Sequence, residues 1–134
     1  MDFSFFIVDD RELDCYIAEK IIEKTQRSYE RRSFHEANAC LDHIKSREVS
    51  NNITVILLDI MMPIMNGFEF LDAFEALSED MKSQYRVVPI TTSLNKNDIH
   101  RIENYPSVIK VLQKPYTIED IIETLDSIQS KQNC

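Results

Sequence analysis

Asp9 and Asp10, Asp59, Thr91 and Lys114 are the side chains on which chemistry could be built, and each stands at the end of a strand-forming run. The two adjacent acids follow FSFFIV, and Asp59 closes ITVILL. Thr91, Thr92 and Ser93 form a hydroxyl cluster at the end of RVVPI, and Lys114 stands with Pro115 just beyond SVIKVL. Carboxylates gathered in a small space repel one another, and leaving them uncompensated costs free energy. A divalent cation resolves the repulsion, and hard oxygen donors with room for water suit Mg²⁺. With Mg²⁺ and the Lys114 ammonium neutralising phosphoryl oxygens, one acid is free to act as a nucleophile toward phosphorus. Asp59, carried to the site's edge by an apolar strand, fits that role. Taken singly, the same residues have plainer uses. Asp9 and Glu12 have the spacing of a capping box, Asp59 has the position of a turn acid accepting backbone N–H groups, and Thr91 and Lys114 alone suit structural or solvated roles.

Convergence of these groups depends on the elements that carry them. The pattern alternates between short apolar runs and helical periodicities. Strands are predicted over Phe3–Val8, Ser28–Phe34, Ile53–Leu58, Arg86–Thr92 and Ser107–Leu112, the second more polar, as suits a sheet edge. Helices are predicted over Glu12–Thr25, Glu36–Ser46, a segment carrying Phe68, Leu71, Phe74 and Leu77, Asp98–Asn104 and Ile118–Ile128. In the first, Leu13, Ile17 and Ile21, with Tyr16, share one face and are expected inward. In the second the inward set is Ala37, Cys40, Leu41 and Ile44, and in the last it is Ile118, Ile121, Ile122, Leu125 and Ile128. Ser50, Asn51 and Asn52 mark a loop, and Pro63 to Gly67 a turn.

Strands alternating with helices in this way imply βαβ units and a parallel sheet covered on both faces. The right-handed crossover rule leaves few topologies. The expected fold is a doubly wound five-stranded parallel sheet in the flavodoxin-like order 2-1-3-4-5. Ligands collect at the carboxyl ends of such strands, beside the point where strand order reverses. In that order the first and third strands are neighbours, so Asp9, Asp10 and Asp59 should meet.

The chain's 134 residues fit a single domain, with a core over about 3–128 and a short polar tail over 129–134. A net charge of −8 argues against nucleic acid as the direct ligand, which is bound through clustered Lys and Arg. The apolar runs are too short to span a bilayer, and the N-terminus lacks the basic region of a secretory signal. Cys15, Cys40 and Cys134 form no even framework and no CxxC pair, which points to reduced thiols and a cytoplasmic setting. The one glycine, Gly67, excludes both GxGxxG and the P-loop.

The motifs FIVDD, LLDIMMPIMNGFEFL, ITTSLN and the KP dipeptide, placed after the first, third, fourth and fifth strands, resemble those of response-regulator receiver domains of two-component signalling. The resemblance spans about Phe3 to Ile128. It implies that Asp59 is the phospho-acceptor and that Asp10 is the direct Mg²⁺ ligand, joined by Asp59 and the Met61 backbone carbonyl, with Asp9 acting through water. It implies further that Thr91 is the switch hydroxyl, that Lys114 pairs with the phosphoryl group, and that Lys114–Pro115 is cis. The donor would be a sensor histidine kinase or a histidine phosphotransfer protein. The output would pass to a downstream protein target through the face made by the 98–104 helix, the fifth strand and the last helix. Homodimers through that face and monomers are both compatible with the sequence.

Several positions depart from the common family pattern. Thr92 stands where a small residue is usual after the switch hydroxyl. Val111 stands where a Tyr or Phe three residues before the lysine is common, so loop movement linked to Thr91 is expected to carry more of the switch. LSEDMKSQYR is longer than usual and is expected to extend the third helix or its loop. Nothing after Ile128 resembles an output domain, so a stand-alone receiver is expected, with a module of a larger regulator or hybrid kinase as the alternative. An aspartyl-phosphate phosphohydrolase would usually place a second acid two residues beyond its nucleophile, where Met61 stands. A flavodoxin-like cofactor binder would need a phosphate loop after the first strand. His35, His43 and His100 lack metal-ligand spacing and are expected at or near the surface, while Met61, Met62 and Met65 are expected to pack the turn.

Overall fold

In a computed structural model of the chain, the described residues are 2–48, 52–62, 65–92 and 95–132. Ser50, Asn51, Pro63, Ser93 and Cys134, which figure in the sequence analysis, lie outside them. The order is β1 (Phe3–Val8), α1 (Glu12–Thr25), β2 (Ser28–Phe34), α2 (Ala37–Ser46), β3 (Thr54–Asp59), α3 (Gly67–Glu75), α4 (Glu79–Lys82), β4 (Tyr85–Thr91), α5 (Lys96–Glu103), β5 (Leu112–Gln113) and α6 (Ile118–Gln132). All strands pair in parallel, in the order β2-β1-β3-β4-β5. This is the doubly wound, flavodoxin-like arrangement expected from the alternation.

The central strands are apolar on both faces because each face meets a helical layer. Successive side chains alternate sides. Phe3, Phe5 and Ile7 therefore join Val55 and Leu57 in the core beneath α1 and α6, whereas Phe6 and Val8 join Ile56 and Leu58 in the core beneath α2 and α3. Phe70 and Phe74 seal the second core, and Ile121, Leu125 and Ile128 seal the first. Within the second, His43 packs against the rings of Phe6 and Phe34. Burial lowers its pKa.

Four local expectations need correction or narrowing. In α1 the buried stripe is Cys15, Ala18, Ile22 and Thr25, while Leu13 is 67%, Tyr16 57% and Ile17 44% exposed, and Ile21 is half-buried. The helix rests on the sheet through Ile22 and the smaller Cys15, Ala18 and Thr25, which allow close approach, and Leu13, Tyr16 and Ile17 fall outside that stripe. The inward faces of α2 and, in the main, α6 are as expected, although Ile118 and Ile122 are only half-buried.

Of the two readings for LSEDMKSQYR, the longer connection holds and the longer third helix does not, since α3 ends at Glu75. Ser78 accepts a hydrogen bond from the Met81 N–H and starts a separate turn, α4. Residues 129–132, expected as tail, continue α6, with Gln129 accepting a hydrogen bond from Arg27.

The fourth correction concerns β5, expected over Ser107–Leu112, whose regular pairing covers only Leu112–Gln113. Upstream there is one isolated bridge, Val87 to Val108. Val87 exchanges hydrogen bonds with Ser107 and Ile109, and Thr91 accepts from the Lys114 N–H, so alternate residues of β4 face the fifth strand. The residue between them on that side is Pro89, which has no N–H to donate, and the ladder breaks there.

Cys15 and Cys40 are free and buried, and burial pushes the Cys15 thiol up to about 11 and the Cys40 thiol up as well. Among the described residues no helix is long and apolar enough to cross a membrane.

Candidate functional site

β1 and β3 lie side by side, Val8 opposite Leu58, so both chains leave the sheet at the same rim. This brings Asp9, Asp10 and Asp59 together, with one carboxylate oxygen from each lying within 4.8 Å of the others. Asp9 and Asp59 are buried and Asp10 is exposed. Asp59 Oδ1 accepts the Met61 N–H at 3.1 Å, and Asp9 Oδ1 accepts the Arg11 N–H at 3.0 Å. Asp59 therefore does serve as a turn acid. Asp9 is not the N-cap of α1, which is Arg11, so the capping-box reading fails. A complete capping box occurs instead at Asn66 and Glu69, opening α3.

Gly67 sets the spacing beneath Asp59. Its N–H donates to the Ile60 carbonyl at 3.0 Å. A Cβ there would lie 2.5 Å from Ile60 Cδ1 and 2.7 Å from Ile60 Cα. The first residue of α3 can press against the Asp59–Ile60 backbone only because it has no side chain.

Lys114 enters from the neighbouring edge, just past β5, and its peptide bond to Pro115 is cis, as expected. Its Nζ donates to Asp9 Oδ2 at 3.0 Å and to Asp14 Oδ2 at 2.9 Å, and lies 3.8 Å from Asp59 Oδ2. Thr91 ends β4, is buried, and accepts the Lys114 N–H at its carbonyl. Thr92 is exposed.

The electrostatics follow from crowding. Burial pushes Asp59 up from 3.8 to about 6, opposed by the Met61 N–H and reinforced by Asp9. Lys114 is pulled down by burial but raised overall by its hydrogen bonds to Asp14 and Asp9. One ammonium thus faces several carboxylates, an arrangement that favours a further cation. Oxygen donors drawn from three acids fit the preference of Mg²⁺ for hard ligands.

The structure brings together Asp9, Asp10, Asp59 and Lys114, with Thr91 joined to Lys114 through its backbone carbonyl. It places Met61 two residues beyond Asp59, with its side chain 65% exposed. Sequence reasoning missed three neighbours. Asp14 sits in the first turn of α1 and reaches Lys114; an acid at that position reads from sequence as an ordinary helix-start residue. His35 approaches the Asp9 carbonyl, Nδ1 to O 3.3 Å, and Cys15 Sγ contacts the same oxygen at 3.4 Å. Neither contact carries a spacing signal.

The family model of the response regulator receiver domain matches residues 5–126. The chain belongs to the response-regulator receiver family. Among solved structures, this receiver resembles a response regulator receiver protein from Dyadobacter fermentans, with 34% identity, a TM-score of 0.85, and coverage of 93% of this chain and 96% of that one. A two-component response regulator from Cytophaga hutchinsonii is 24% identical with a TM-score of 0.87, covering 97% and 99%. The chemotaxis protein CheY4 of Vibrio cholerae is 24% identical with a TM-score of 0.71, covering 95% and 98%. The last two establish likeness of fold. Comparison with curated proteins finds no significant match. Receiver domains bind Mg²⁺ at an acidic pocket, and the three-acid cluster is the corresponding feature of this receiver.

Proposed function

We propose that this receiver is a phospho-accepting switch in which Asp59 takes a phosphoryl group from a histidine of a sensor kinase or phosphotransfer protein. The observation that carries the reading is the position of the Lys114 ammonium, within 4 Å of both Asp9 and Asp59 at the rim where Asp10 also stands. An Asp59 carboxylate oxygen attacks phosphorus in line, an O–P bond forms as the P–N bond of the phosphohistidine breaks, and the imidazole leaves with the electron pair and is protonated by solvent. Mg²⁺, held by Asp10, Asp59 and the Met61 carbonyl, with Asp9 acting through water, would neutralise charge on the transferred group. Lys114 pairs with a phosphoryl oxygen, and the Thr91 hydroxyl turns toward another. The added charge and acceptor oxygens then reset the loops after β4 and β5. The face of α5, β5 and α6 presents the result to a protein partner.

The chain catalyses only its own phosphorylation and dephosphorylation. Met61 offers no second carboxylate beyond Asp59, which disfavours turnover on external phosphoesters. The setting that suits free, buried thiols and such partners is the cytoplasm.

The test is labelling with a small acyl phosphate and Mg²⁺. The protein should gain one phosphoryl mass that hydroxylamine removes. Asp59→Asn should abolish the gain, and Lys114→Ala should keep a weaker one. Wild-type labelling of Asp59→Asn would reject the assignment.

A further inference from the structure

Lys114 does not rest on the acceptor. Its two hydrogen bonds go to Asp9 and Asp14, at 3.0 and 2.9 Å, while Asp59 Oδ2 stands off at 3.8 Å. Asp9 belongs to the acid cluster; Asp14 does not. It comes from the first turn of α1, and its side chain is 24% exposed against 20% for Lys114. Asp14 also pairs with Arg11, at 3.9 Å, but that contact lies at the surface, where ion pairs contribute little. A cavity of about 260 Å³ beside the pair has Asp9, Asp14, Asp59, Lys114 and Tyr116 among its lining residues, so the ammonium, its two partners and Asp59 border one space.

We propose that Asp14 is a positioning residue of the site: a counter-ion that competes with the incoming phosphoryl group for Lys114 and so restrains phosphorylation of Asp59. The inference rests on the phospho-acceptor reading above. An ammonium has three N–H donors and is strongly hydrated unless held. Two of its donors are committed here to carboxylates, and Asp14 adds to Asp9 a charge that the phosphoryl dianion must work against. Burial of the pair strengthens that competition relative to water. The direction follows: removing the charge while keeping an acceptor oxygen at position 14 should free Lys114 and lower the charge opposing the phosphoryl group.

Asp14→Asn should therefore raise the labelling rate at saturating acyl phosphate and Mg²⁺, and tighten binding of beryllium fluoride, a phosphoryl-like anion. Each effect should be roughly 3- to 10-fold, the range expected for one partly screened charge near the site. Asp14→Glu should return both values toward wild type. If Asp14 only favours the start of α1, as acids in a first turn commonly do, Asp14→Asn would shift thermal stability and leave both readouts at wild-type values. That result, or a slower rate, overturns the inference while the phospho-acceptor reading stands. Absence of Asp59-dependent labelling in the wild-type protein overturns both.

Discussion

Replacing Asp59 with Asn should stabilise the metal-free protein, because the fold holds this carboxylate where its charge is disfavoured. Its pKa lies at about 6 in the folded chain, against 3.8 ordinarily. An acid whose folded pKa is raised binds its proton more tightly in the native state. It therefore lowers stability at pH above 6, and the penalty shrinks as pH falls toward 3.8. At pH 8 the displacement corresponds to about 3 kcal/mol, and at pH 4 to under about 1 kcal/mol. Asn removes the charge and retains an oxygen to accept the Met61 N–H. Urea denaturation in chelator at pH 8 should thus show Asp59→Asn more stable by about 2–3 kcal/mol, equivalent to a melting point higher by roughly 6–10 °C. The gap should close on acidification. It should also narrow with Mg²⁺, which stabilises by mass action the form that binds it better, here the wild type. Equal stabilities at pH 8, or a gap that does not change between pH 8 and pH 4, would refute the reasoning.

Two further substitutions probe the elements that hold the site. Gly67→Ala forces a methyl within 2.7 Å of the Ile60 backbone. It should cost about 2–3 kcal/mol in urea denaturation, as overpacking against an unyielding backbone does, and weaken Mg²⁺ binding as the loop after Asp59 shifts; wild-type stability would count against the close-approach argument. Pro89→Val supplies the missing N–H on the side of β4 that faces the edge strand, so hydrogen exchange should reveal a protected amide at position 89 and slower exchange in Val108–Val111. A freely exchanging amide there would mean that the proline is not what interrupts β5.

Much of this molecule was legible before coordinates. Five strands, their order and the meeting of Asp9, Asp10 and Asp59 follow from short apolar runs alternating with helical periodicity, since parallel strands joined by right-handed crossovers put the ends of β1 and β3 side by side. The orientation of α1 did not follow. Periodicity weights Leu13, Tyr16 and Ile17 for their size, but the sheet accepts the narrow Cys15–Ala18–Ile22 stripe instead. The short β5 was readable in principle, because RVVPIT announces a strand with a missing donor. Which neighbour lost the bond depended on register, which apolar composition does not set. Asp14 was out of reach for another reason. Its contact with Lys114 spans 100 positions of chain, and no local pattern encodes that.

At the rim of β1 and β3 the surplus of acid in the composition is structural rather than a solvated face. Asp9 and Asp59 stand at the ends of β1 and β3, which pair through an unbroken run of residues between two apolar cores. Such strands tolerate like charges held close, because yielding would require unpairing the centre of the sheet. Lys114 stands beyond β5, which has two residues in register with β4 and a proline interrupting the ladder upstream. The repelling charges are therefore mounted on the most firmly paired elements and the compensating cation on the least firmly paired one. On the proposed reading, a phosphoryl group on Asp59 would change the balance of charge without moving the acids, and the side of the site with freedom to respond would be the edge that carries Lys114. This division of stiffness needs no aromatic at Val111. It requires only that the lysine be held by partners it can exchange, and the two carboxylates at 2.9 and 3.0 Å are such partners.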